Sequence, residues 1–255
     1  MHFFCVKFKT IKAIMFLALV GILLSVNVGG NVAASVYFNN SLRKVPVYYV
    51  GTDKKQVAIS FDAAWGADKT EKIIEICEEY NVKATFFLVG FWVQKYPEMV
   101  KKIYDSGFEI GTHSNTHPDM TKLSSENQKF ELETSMNLIK NITGEEVKLF
   151  RPPFGAYNDS LINTADSLGL TTIQWDVDSL DWKGLSAMEI NNRVLNGVRN
   201  GSIILCHNNS DHILDALPIM LDRLIKRGYN VTPVGELLLK GDYFIDNNGK
   251  QIAKV

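Results

Sequence analysis

The sequence predicts an α/β fold: a distorted seven-stranded (β/α) barrel, forming a single domain behind an N-terminal leader. Three observations carry this expectation. Short β-branched or aromatic runs alternate with stretches of helical apolar spacing from about residue 56 to 240, and such alternation builds a parallel sheet flanked by helices. Seven strand-like runs can be counted, which suits a closed or nearly closed barrel better than two domains. The residues able to do chemistry stand just after those runs, and in a parallel barrel all such positions share one face.

The leader comes first. Lys7, Lys9 and Lys12 precede an apolar run from Ala13 to Val28, broken by Ser25 and Asn27, and Val32, Ala33 and Ala34 follow as small residues suited to cleavage. This is the order of a secretory signal. The run is short for a spanning helix, which needs about 20 apolar residues. Residues 1–34 therefore read as a signal peptide or a membrane anchor, and the rest of the chain as extracytoplasmic, secreted or membrane-anchored. Residues 35–55 read as a connector, with turn-like Asn39-Asn40-Ser41 and Thr52-Asp53-Lys54-Lys55.

The domain follows, over residues 56–240. Val57 to Phe61 reads as a buried strand. Asp68 with Glu71 three residues on has the pattern of a capping box opening a helix, whose face carries Ile73, Ile74, Ile76 and Cys77. Ala84 to Val89 is a strand, Tyr96 to Asp105 a helix closed by Gly107, and Phe108 to Thr112 a strand. A long helix from about Ser125 to Asn141 ends at Gly144, and Val147 to Arg151 is the next strand. Ser160 to Leu168, Met188 to Val198 and Leu214 to Arg227 read as helices, separated by strands Thr171 to Trp175 and Ser202 to Cys206. Tyr229 to Thr232 is the last strand, and residues 241–255 are a C-terminal tail.

Composition is that of an ordinary folded protein, with 46% hydrophobic and 22% charged residues among 255. The formal net charge of −1 gives no basic surplus, so nucleic acid is not an expected partner. Cys5 lies in the leader, which leaves Cys77 and Cys206 in the domain. One falls on an expected helix and the other in an expected buried strand, so two inert thiols are expected rather than a disulfide framework. A monomer is expected.

Asp62, His113, His117, Asp178, Asp181 and His207 stand just beyond expected strands and Arg151 ends one, a set that includes three of the five histidines of the chain. His113 and His117 are four apart, which on a helical turn would aim both rings at one cation. By itself that spacing is a weak signal, and the pair more readily reads as two loop histidines bonded to backbone. Arg151 precedes Pro152 and Pro153, which stiffen the backbone and fix its direction, or simply make a stiff surface loop. Asp178-Ser179-Leu180-Asp181-Trp182 can orient a histidine or a sugar, or can be a turn. His207 ends an apolar strand and can be structural.

Taken together these segments resemble the polysaccharide deacetylase (NodB homology) family. Its five motifs are matched in order by Ser60-Phe61-Asp62-Ala63-Ala64-Trp65, His113-Ser114-Asn115-Thr116-His117, Arg151-Pro152-Pro153-Phe154, Asp178-Ser179-Leu180-Asp181-Trp182 and Leu205-Cys206-His207. The phrase Phe61-Asp62-Ala63-Ala64-Trp65-Gly66 looks closest to the sporulation-associated, PdaB-like branch. The resemblance implies hydrolysis of N-acetyl groups on a peptidoglycan or chitin-like glycan, assisted by a divalent, zinc-like metal on His113 and His117. It implies that Asp62 is the base, that Arg151 holds Asp62, and that the Phe154 N–H holds the oxyanion. It implies that His207 is the acid, supported by a carboxylate, Asp181 ahead of Asp178. Phe154, Trp182 and Trp65 are the substrate-contacting candidates.

The chain departs from that pattern at three places. Ala63 stands where the family has a second Asp as third metal ligand, Ala64-Trp65 where it has Gly-Pro, and Asn208 where an Asp usually follows the last histidine. A catalytic zinc normally has three protein ligands and an open position. Asp68 and Asp119 are the candidate replacements. Two functions compete: a deacetylase, and a glycan-binding module of the same fold with weak or no turnover. A barrel glycosidase would need two opposed carboxylates and leaves the histidines unexplained.

Overall fold

The computed structural model describes residues 43–254. The leader, and the first part of the expected connector, lie outside the described residues. The unit from Lys44 onward forms one compact body. Among the described residues no helix is long and apolar enough to cross a membrane.

The chain runs through β1 (Tyr49–Val50), β2 (Gln56–Ala63), α1 (Thr70–Glu79) and β3 (Thr85–Leu88). Then follow α2 (Gly90–Lys95), α3 (Pro97–Asp105), β4 (Glu109–Thr112), α4 (Ser125–Thr143), β5 (Leu149–Phe150) and α5 (Asp159–Ser167). Next come β6 (Thr171–Thr172), β7 (Val177–Asp178), α6 (Ala187–Gly197), β8 (Ile203–His207) and α7 (Ile213–Lys226). The chain finishes through β9 (Asn230–Thr232), α8 (Val234–Leu237), β10 (Tyr243–Ile245) and β11 (Lys250–Ala253).

The main sheet has the order β6-β5-β4-β3-β2-β8-β7, with β9 also paired to β2, and every pairing is parallel. This is the expected α/β barrel-like sheet, with each of the seven expected strands present. The short β7 is an addition. Alternation along β2 sorts the two cores. Val57, Ile59, Phe61 and Ala63 belong to the apolar layer under the helices. Ala58 belongs to a smaller interior cluster with Phe87, Leu149, Ile173 and Ile203. Asp62 has the same parity as Ala58, so its carboxylate rises from the barrel interior, while Ala63 faces the helix layer.

The sheet does not close by direct pairing of β6 with β7. The chain before β1 closes it instead. Val47 bridges Ile173 in parallel and Tyr49 bridges Ser202 antiparallel. Val47 donates to Thr172 O at 3.0 Å and accepts from Gln174 N at 2.7 Å. Val47 and Val50 are fully buried in the interior cluster. The strap lies tight on Gly201, whose φ is +80° and whose added Cβ would stand 1.9 Å from Val50 O. Only glycine fits there. The later part of the expected connector is thus part of the domain, because its valines fill the seam. The expected tail is structured too: β10 and β11 pair antiparallel, and β11 pairs parallel with β1.

The helix after β2 begins at Thr70, and its N-cap Lys69 makes no side-chain capping bond. The capping box expected at Asp68 is absent. Thr70 Oγ accepts instead from the Asn208 amide at 3.0 Å, and Lys69 Nζ donates to Ser210 O at 2.7 Å. The helix start is fixed by tertiary contacts with the chain after β8. Cys77 and Cys206 are buried free thiols, and burial pushes the Cys77 thiol up to about 12.

Candidate active site

Asp62 is the last residue but one of β2 and His207 the last of β8, and the two are direct partners across the parallel ladder. Their side chains therefore rise side by side from one face. Arg151 leaves β5 fully buried, and its guanidinium donates to Asp62 Oδ1 at 2.7 Å and to Gln174 O at 3.2 Å. It also stacks over the Phe87 ring, 4.1 Å from its centroid. Arg151 points inward from the position just before Pro152 and Pro153. Burial opposes ionisation of Asp62, but Arg151, with smaller help from His113 and His207, outweighs it and holds the carboxyl below its usual range.

His207 has a carboxylate of its own. Asp181 accepts from the His207 backbone N–H at 2.8 Å and sits 2.7 Å from ring Nδ1. Burial pushes the imidazole pKa down, but the hydrogen bond and charge of Asp181 more than reverse this, so the net shift is upward. Asp178 takes no part in that contact: its Oδ1 accepts from Leu180 N at 2.9 Å, closing the turn that delivers Asp181. Trp182 follows on the same turn with its ring mostly exposed.

His113 and His117 come together on a loop, not on the helical turn their spacing suggested. Ser114 and His117 both take left-handed backbone, with φ 68° and 58°. The loop folds back on itself, His117 N donating to Ser114 Oγ at 3.0 Å. The rings meet edge to face at 4.9 Å. His113 Nδ1 lies 2.6 Å from Arg151 O, so it donates there and Nε2 is left as an acceptor, 3.5 Å from Asp62 Oδ2. Burial lowers the pKa of both rings, His117 to about 4, with His113 adding to the effect on His117. Phe154, itself left-handed at φ 59°, lays its ring 4.6 Å from His117, and Trp65 lies 5.3 Å away on another side. Four of the five non-glycine left-handed residues described, Ser114, His117, Phe154 and Leu180, border this site. Such backbone costs about 1–3 kcal/mol each and persists where surrounding contacts fix it.

One residue that fixes it was not evident from motif reading. Glu131, buried on α4, accepts from Asn115 N at 2.9 Å, Thr116 N at 2.8 Å and Thr116 Oγ at 2.6 Å. Its signal was present: Gln128, Glu131 and Ser135 form a polar stripe at helical spacing, all buried.

Two neutral imidazoles, one locked by a backbone carbonyl, are what a ligating pair needs. The rest of the donor set does not fit a three-ligand metal site. Position 63 is an alanine packed in the helix-side core. Asp62 is bound by Arg151, and Asp119 bonds Thr121 and pairs with Lys122 at 3.0 Å. Among the described residues no group of three His, Cys, Asp or Glu side chains gathers to hold a metal ion.

A family model for polysaccharide deacetylase matches residues 49–173. The chain is 35% identical to the uncharacterized protein YlxY of Bacillus subtilis over 78% of this chain and 62% of that protein. It is 34% identical to a peptidoglycan-N-acetylglucosamine deacetylase of Bacillus cereus, over 68% of this chain and 63% of that protein. The chain thus spans about three fifths of the length of these curated relatives. Among solved structures, BA3943 of Bacillus anthracis, described as a CE4 family pseudoenzyme, superposes with a TM-score of 0.75 at 34% identity, over 83% of this chain and 72% of that one. A mutant of BA3943, described as having restored enzymatic activity, superposes equally well at 36% identity, over 83% and 74%. With the motif residues gathered on one face of the expected barrel, these likenesses establish that the chain belongs to the polysaccharide deacetylase family.

Proposed function

We propose that this protein removes N-acetyl groups from peptidoglycan or a closely related glycan, hydrolysing a carbon–nitrogen bond that is not a peptide bond. The observation that carries the reading is a pair of oppositely tuned groups on neighbouring strand ends. Asp62 is kept ionised by Arg151, and His207 is kept protonated more readily by Asp181. Amide hydrolysis needs this division of labour, because water must lose a proton to attack and the amine must gain one to leave. In this reading Asp62 Oδ2 takes the proton from water, since Oδ1 is held by Arg151. His207 presents Nε2 to the leaving nitrogen, since Nδ1 faces Asp181. The Phe154 N–H faces the developing oxyanion, and Phe154, Trp182 and Trp65 contact the sugar. Asp178 acts only through the turn that holds Asp181. His113 and His117 are the retained part of a zinc-like site that lacks its carboxylate, and no step is assigned to a metal.

The proposal extends to place and context. The enzyme acts as a monomer outside the membrane, behind residues 1–34 as signal or anchor, in the sporulation-associated branch suggested by Phe61-Asp62-Ala63-Ala64-Trp65-Gly66. A C-terminal reporter active only in the cytoplasm stays silent if this is right. The chemistry is tested by acetate release from peptidoglycan and chitooligosaccharides, with Asp62→Asn as control. Release that persists in Asp62→Asn refutes the assignment of the base. A second reading, a glycan-binding member without turnover, is favoured by Ala63 and by the likeness to BA3943. It predicts glycan binding with no acetate released.

A further inference from the structure

Beside the site lies a cavity of about 320 Å³, one wall of which is Trp65, whose ring stands 5.3 Å from that of His117. Its walls include Trp65, Gly66, Phe91, Tyr96 and Lys95. The walls are held from below. Fully buried Trp92 donates its indole N–H to Gly66 O at 2.6 Å, and the Asn208 amide donates to the same oxygen at 2.9 Å. Gly66 has φ +64°, and an added Cβ would collide with Asn209. Two of the three departures from the family pattern, Ala64-Trp65 and Asn208, thus form one structure. It presents Trp65 at 60% exposure, tilted against Phe91 at 5.2 Å and edge-on to His117 at 5.3 Å. Trp65 is at once a wall of the cavity and a neighbour of His117, so the cavity adjoins the site.

The lining specifies an occupant. Aromatic faces match the C–H faces of a pyranose ring, apolar in the middle and polar at the rim. Lys95 adds a charge. It is exposed, its Nζ lies 5.3 Å from the Tyr96 ring centroid, and it forms no ion pair among the described residues. An ammonium at the rim of an aromatic slot, with no carboxylate of its own, favours an anionic substituent on the sugar.

We propose that this cavity is a subsite for a carboxylate-bearing sugar flanking the reacting residue, with Trp65 and Phe91 stacking the ring and Lys95 reading the carboxylate. The proposal rests on the glycan reading above and narrows it from neutral, chitin-like strands to acidic ones. The test is calorimetric binding to the full chain. The probes are a peptide-free tetrasaccharide of alternating N-acetylglucosamine and N-acetylmuramic acid, and the same molecule with its carboxylates methyl-esterified. The acid form binds about 5-fold tighter than the ester. Lys95→Gln erases that preference, Lys95→Arg retains it, and Trp65→Ala weakens both probes by about 10-fold. Equal binding of acid and ester, no binding of either, or a preference that survives Lys95→Gln overturns the proposal. Acetate release is measured on the same samples. A Lys95-dependent preference without acetate rejects the enzyme and keeps the subsite, whereas acetate without a preference does the reverse.

Discussion

The two halves of the site are built to different degrees of completeness. On the β2–β8 side each titrating group has a dedicated partner of opposite charge: Asp62 has Arg151, and His207 has Asp181. On the loop after β4 the imidazoles are equally well positioned, by Arg151 O and by Glu131 through the loop backbone, yet the third donor is an apolar methyl. The contrast teaches that positioning and donor identity are separable. Two imidazoles are held firmly in place here beside a position that cannot coordinate.

The sharpest way to break the comparison is to damage the complete half. Asp62→Asn is expected to lower acetate release by about 10³-fold, the scale of losing a positioned base. A loss confined to a few-fold would place the base elsewhere. The next test completes the deficient half. Ala63 is fully buried among apolar side chains, so Ala63→Asp without metal is expected to destabilise by about 3 kcal/mol. Adding zinc should recover most of that in thermal unfolding, because the ion neutralises the carboxylate and joins it to His113 and His117. Zinc-independent melting would mean that position 63 does not reach the pair.

Glu131→Ala probes the support of the loop. It strands two backbone N–H groups and is expected to cost about 2 kcal/mol in denaturant unfolding. An unchanged midpoint would deny it that role. The smallest effect is on pH dependence. The folded pKa of His207 is raised by Asp181, so the stability from this pair is fully present below about 6.5 and is lost as pH rises through the folded value. Proton donation by His207 fails over the same interval. Asp181→Asn should therefore move the alkaline limb of the rate profile to lower pH, because the hydrogen bond and charge that hold the imidazole pKa up are lost. An unmoved limb would assign that limb to another group.

Much of this was legible in the sequence because it depends on local pattern. Alternating apolar runs gave the strands, and strand ends gave Asp62, Arg151 and His207. What was not legible depends on distant partners. Asp68 has the spacing of a cap, but Asn208 and Ser210, far along the chain, set the helix start. The interval between His113 and His117 fits a helical turn, whereas two left-handed residues and Glu131 impose a loop. β7 is only two residues long and carries no periodicity to detect. Val47 and Val50 lie in a short apolar run, Val45 to Val50, between turn-like segments, and only the distant seam they fill makes that run part of the domain.

That seam bears on how the molecule is made. β1 pairs with β11 through Tyr49–Lys250 and Val50–Gln251, partners on the order of 200 residues apart. Synthesis delivers the first of these long before the last. The strap across the barrel therefore waits, half-paired, until the final strand arrives, and closing so long a loop is among the slower events available to a chain of this kind. The finished domain is latched by its own two ends. A chain shortened by its last strand keeps the contacts of Tyr49 with Ser202 and of Val50 with Gly201 but loses those on the other side of β1, exposing a short open strand edge.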